Sequence, residues 1–99
     1  MIKLSENELR TVKNILKNYA SNYEVLVFGS RVAGNTHEYS DIDIALRGTD
    51  KIDLLVLAAI KDEFQNSDLP FRVDIIDFNR VSSEFQAVIL SNYSSISFD

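Results

Sequence analysis

The stretch Asp41-Ile42-Asp43-Ile44-Ala45-Leu46 constrains the fold more than any other part of this 99-residue chain. Extended backbone sends successive side chains to opposite faces, so an apolar run broken by acidic residues at alternate positions reads as a strand. Asp41, Asp43 and Ala45 then share one face, and Ile42, Ile44 and Leu46 share the other. Two carboxylates held side by side on a rigid strand repel each other at neutral pH, and the arrangement calls for a cation or a basic partner between them. Mg²⁺ is the natural candidate, because it prefers oxygen ligands and usually enters with a substrate phosphate.

A strand needs neighbours, and the chain supplies them on both sides. Upstream, Glu24 to Phe28 is apolar on both faces, which places it inside a sheet covered on both sides. It stops at Gly29-Ser30, and Ser30 to Ala33 reads as a short helix whose N-terminal NH groups suit a phosphate; a plain turn is the simpler reading of Gly-Ser alone. After Gly34, NTHEYS reads as a polar loop in which His37 is a solvated residue and Ser40 caps or orients the aspartates. With one histidine in the chain, a Ser-His-Asp set has no second candidate.

The remaining elements follow from periodicity and caps. Ser5 and Glu8 form a capping box, with Leu4 stapled against Leu9, opening a helix that runs to about Tyr19 and buries Val12, Ile15 and Leu16. Gly48-Thr49-Asp50 closes the acidic strand and starts a helix from about Asp50 to Asn66, with Ile52, Leu55, Val56, Ala59, Ile60 and Phe64 inward and Asp53 on the solvated side. The cluster from Asn66 to Pro70 breaks it, and a third strand spans Phe71 to Phe78. A last helix begins at Ser82 or Ser83, with Gln86 as capping-box partner and Phe85, Val88, Ile89 and Leu90 buried. Ser94 to Phe98 reads as a short strand or a tail. The order α-β-α-β-α-β-α predicts helices on both faces of a small sheet.

Asp74 interrupts an otherwise apolar third strand, and a buried carboxylate needs compensation. Either it pairs with a residue such as Arg72 or lies on an exposed edge, or sheet pairing brings it beside Asp41 and Asp43 as a third metal ligand. Asp77 falls on the opposite face as a structural residue, capping the last helix. Fifteen acidic against ten basic residues give a net charge of −5 and a pI near 4.7, a poor match to a long nucleic acid and a better one to a small or protein substrate. With no cysteine, zinc thiolate sites are excluded. The lack of a membrane-length apolar segment predicts a soluble, cytoplasmic protein without membrane contact.

Gly29-Ser30, then Asp41-x-Asp43, then Asp74 in a later strand resembles the nucleotidyltransferase superfamily typified by DNA polymerase β, and the length is similar to that of its minimal nucleotidyltransferase branch. The resemblance covers nearly the whole chain. It implies an α/β (α+β) fold, a small mixed sheet with flanking helices like the polymerase β palm, as one domain over residues 1–99. It further implies two Mg²⁺ ions held by Asp41 and Asp43, with Asp74 joining them and helping to activate the attacking oxygen. Gly29 and Ser30 would grip the triphosphate of ATP, with Arg31 and Ser40 on the same nucleotide side. Ala33 stands where the superfamily commonly has a basic residue, and Arg31, within one turn, is the residue available to take over that contact.

Minimal nucleotidyltransferases resemble the catalytic half of two-gene systems whose other half is a small helical HEPN protein, often an RNase toxin. The resemblance therefore implies an antitoxin that transfers AMP from ATP to a tyrosine of a HEPN partner encoded by a neighbouring gene. The acidic chain suits a basic, RNA-cutting partner. The alternative is a non-catalytic antitoxin that neutralises its partner by binding alone, its aspartates kept as a cation site or ion pair. Transfer to a small molecule such as an aminoglycoside is a third class, for which the usual extra domain is lacking.

Overall fold

Ser5 sets the first element: its hydroxyl accepts from the Glu8 NH at 3.1 Å while the Glu8 carboxylate accepts from the Ser5 NH at 2.9 Å. This capping box satisfies two of the NH groups that a helix start leaves without partners. The computed structural model describes residues 4–29 and 41–98, and in it the capped helix α1 spans Glu6–Ala20. Strands β1 (Glu24–Phe28) and β2 (Ile42–Arg47) follow, then helix α2 (Leu54–Gln65) and strand β3 (Val73–Asp77). A single 3₁₀ turn (Phe78–Arg80), helix α3 (Ser83–Ser91) and strand β4 (Tyr93–Ile96) complete the described chain.

The four strands form one sheet in the order β3-β2-β1-β4. β1 runs antiparallel to both β2 and β4, whereas β2 and β3 are parallel and joined through α2. The sheet is mixed, as expected, and β1 occupies the interior position that its two-sided apolar sequence predicts. Helices α1 and α2 cover one face, where Val12, Leu16 and Ile60 meet Val25, Val27, Ile42, Ile44 and Leu46 in the main core. The other face is thinner: Leu26 and Ala45 pack with Phe78 and Ile89, and the Arg47 guanidinium lies 4.9 Å from the centre of the Phe78 ring.

Several expectations need correction, among them the inward placement of Leu55, which is exposed. Helix α2 begins after Asp53, not at Asp50, because the Asp53 carboxylate accepts from the Leu55 NH at 2.8 Å and is a cap rather than a solvated side chain. In α3 only Ile89 is buried, while Phe85, Val88 and Leu90 are 39%, 58% and 40% exposed. One short helix over a thin face meets the sheet along a single line of residues. Gln86 forms no capping box there, but donates to the Phe78 carbonyl at 2.8 Å.

Asp77 is structural, though not as a cap of the last helix, which Ser82 provides by accepting from the Phe85 NH at 3.2 Å. The buried Asp77 carboxylate accepts from the Ile52 NH at 2.7 Å, the Asn79 NH at 2.9 Å and Arg80 Nε at 3.2 Å. It ties the approach to α2 to the end of β3. Every lone pair it uses meets a donor, which is the condition under which a buried carboxylate is tolerated.

Candidate functional site

Strand pairing builds the site. Asp43 is opposite Phe28 across the β1–β2 pair and opposite Asp74 across the β2–β3 pair, while Phe28 is opposite Tyr93 of β4. One row across the sheet therefore reads Asp74, Asp43, Phe28, Tyr93, on the same face as Ala45 and Ile76, and Asp41 stands one pleat before Asp43 on that face. Two residues separated in sequence by the whole of α2 become lateral neighbours through the parallel pairing.

Gly29 ends β1 with φ +83°, a conformation that side chains rarely adopt, and a Cβ there would run into Oδ2 of Asp43. Glycine at this point lets the backbone pass against the Asp43 carboxylate. Burial pushes the Asp43 carboxyl above the ordinary aspartate range, with the charges of Asp74 and then Asp41 acting in the same direction and Arg72 opposing them. The like-charge conflict expected of this strand is present, and Asp74 contributes to it.

Arg72 is the basic partner. Its Nε is 3.1 Å from Asp74 Oδ1 and 3.9 Å from Asp41 Oδ2, and its Nη2 is 3.5 Å from Asp74 Oδ2. The carboxylates hold the guanidinium more firmly protonated, through the Asp74 hydrogen bond first and the charges of Asp74 and Asp41 next. Asp74 is not the fully buried residue that its apolar surroundings suggest: its side chain is 40% exposed, because β3 is an edge strand. Both features of the simpler reading, the Arg72 pair and the edge, are thus present alongside the approach to Asp43. In sequence Arg72 was legible only as a partner of Asp74; its reach to Asp41 depends on the β2–β3 register.

Among the described residues no group of three or more His, Cys, Asp or Glu side chains is gathered closely enough to hold a metal ion. The donor set nonetheless fits Mg²⁺ in kind. It consists of carboxylate oxygens on two adjacent strands, with Arg72 supplying the only charge compensation seen among the described residues. Ser30, Arg31 and Ser40, expected on the nucleotide side, lie outside the described residues, as do Ala33 and His37.

Residues 10–97 match the family model for the polymerase β nucleotidyltransferase domain. The chain is 38% identical over 92 residues, covering 93% of its own length and 81% of the relative's, to a Haemophilus influenzae protein described as "Probable protein adenylyltransferase MntA". Its fold matches, with a TM-score of 0.73 and 23% identity, a solved structure described as "Crystal structure of the toxin-antitoxin with AMP-PNP", covering 88% of this chain and 70% of that one.

Proposed function

The chain belongs to the polymerase β nucleotidyltransferase family, in the minimal branch of its MntA-type relative, and from that membership we propose that it transfers AMP from ATP to a tyrosine of a partner toxin. The partner is a HEPN protein encoded by a neighbouring gene, and the modification silences it. The observation that carries the reading is the register that sets Asp43 beside Asp74, with Gly29 pressed against the Asp43 carboxylate. The relative's description as an adenylyltransferase and the nucleotide analogue in the fold's solved counterpart support ATP as donor. An ATP donor fits a cytoplasmic reaction.

Asp41 and Asp43 would hold two Mg²⁺ ions, with Asp74 joining them. Bound Mg²⁺ supplies charge neutralisation for the triphosphate and for the departing pyrophosphate. Gly29 lets the backbone approach the donor, and Ser30, Arg31 and Ser40 contact its phosphates. The tyrosine oxygen attacks the α-phosphorus, the new O–P bond forms as the α–β anhydride bond breaks, and pyrophosphate leaves. Asp74 takes the phenolic proton, which requires Arg72 to release its carboxylate first.

Arg72 also favours a second reading, in which the acidic cluster is a static ion pair and the protein neutralises its partner by contact alone. The double substitution Asp41→Asn with Asp43→Asn separates the two. Incubation with labelled ATP, Mg²⁺ and the neighbouring gene product should show transfer lost by several orders of magnitude with partner binding intact. Cells carrying the mutant should lose protection from the partner. Full protection by a mutant that transfers no AMP would establish the contact reading instead.

A further inference from the structure

Two arginines flank β3, and the structure holds them differently. Arg80, in the 3₁₀ turn, donates Nε to the buried Asp77 carboxylate at 3.2 Å and Nη2 to the Ile52 carbonyl at 2.9 Å, and its side chain is 35% exposed. A guanidinium gripped from two elements is part of the scaffold. Arg72, the residue before β3, has no such grip. Its side chain is 72% exposed, and its side-chain partners among the described residues are carboxylates alone: Asp74, at 3.1 Å from Nε and 3.5 Å from Nη2, and Asp41, at 3.9 Å from Nε. Those are the oxygens offered to Mg²⁺.

Charge decides what such a contact is for. One guanidinium faces the carboxylates of Asp41 and Asp74, while Asp43, between them on the same face, makes no ion pair among the described residues. The row therefore keeps an excess of negative charge that a monovalent partner leaves unmet and a divalent cation meets better. An exposed ion pair holds by a preference of no more than about fivefold, so the guanidinium yields to solvent easily. We propose that Arg72 is a displaceable stand-in for the metal: in the metal-free protein it ties Asp41 to Asp74, and it leaves the carboxylates when the cation enters. This rests on the metal-dependent transfer reading and deepens it, by assigning to Arg72 the control of metal entry. Two consequences have opposite signs. Arg72 stabilises the metal-free fold, and it weakens metal binding. A static ion pair that braces β2 against β3 has the first effect without the second.

Two measurements on the whole chain test this. The first is Mn²⁺ binding without nucleotide, followed by loss of the free-ion EPR signal; the second is thermal unfolding in chelating buffer and in saturating Mg²⁺. Arg72→Gln should tighten Mn²⁺ binding about fivefold. It should also lower Tm by a few degrees in chelator, a deficit that closes in Mg²⁺. Asp41→Asn with Asp43→Asn should abolish the Mn²⁺ binding, which assigns it to the row. Arg80→Gln, the scaffold control, should lower Tm equally in both buffers and leave Mn²⁺ affinity unchanged. In the wild type, the Arg72 Nε–H resonance, assigned by its loss in Arg72→Gln, should move during a Mg²⁺ titration with the midpoint of binding. Unchanged or weaker Mn²⁺ binding by folded Arg72→Gln overturns the proposal in favour of a static brace, and so does an Nε–H resonance unmoved at saturating Mg²⁺. Absence of Mn²⁺ binding in both wild type and Arg72→Gln overturns it as well. Should Arg72→Gln fail to fold, Arg72→Lys assigns the resonance and the wild-type titration decides. Displacement of Arg72 by Mg²⁺ with no AMP transfer to the neighbouring gene product would leave this assignment standing and would be the distinct failure of the adenylyl-transfer reading.

Discussion

At Asp43, burial and the charges of Asp74 and Asp41 all act against ionisation, and Arg72 offsets them only in part. A carboxyl whose folded pKa lies above its unfolded value binds its proton more tightly in the folded state. The stability this gives is fully present below the ordinary aspartate value of 3.8 and is lost as pH rises through the folded pKa. Asp43→Asn should therefore raise Tm at pH 7 in a chelating buffer, and the advantage over wild type should vanish as pH falls below 3.8. Calorimetry across that range checks the sign. An equal gain at low and neutral pH would show that the carboxylate is not under electrostatic stress.

Among the elements, the join between β3 and α2 depends on Asp77, whose carboxylate has no exposed surface. Asp77→Ala leaves the Ile52 NH and Arg80 Nε without their acceptor and should cost about 3 kcal/mol, the scale for breaking a buried charged network. Urea denaturation measures it directly. Elements specified by local chemistry were legible in the sequence: the Ser5–Glu8 box needs only a helical turn, and β1 is apolar from Val25 to Phe28. The start of α2 was less so, because Thr49, Asp50 and Asp53 are all competent caps and tertiary contacts choose among them. Asn79 Nδ2 donates to the Gly48 and Asp50 carbonyls at 2.8 and 3.0 Å, holding that segment in a non-helical path until Asp53.

Over the whole molecule, among the described residues, the sheet is covered unequally, with two helices on one face and little more than Ile89 of α3 and Phe78 on the other. Amide exchange followed by mass spectrometry should show α3 opening well before α1, β1 and β2, because fewer buried contacts hold it; equal protection of α3 and α1 would contradict this. What the sequence could not disclose lies at this scale. Asp41 and Asp43 share a face by simple alternation, but Asp74 as an edge residue and Arg72 as a bridge to Asp41 follow from a parallel pairing that no local pattern encodes. That pairing also orders events in time. Asp43 and Asp74 meet only after α2 has carried the chain back across the sheet, and β1 meets β4 across about two thirds of the chain, so these are the contacts with the greatest loop-closure cost. The acidic row is consequently assembled late: a partly folded molecule exposes scattered carboxylates, and only a finished one confronts a cation with the cluster.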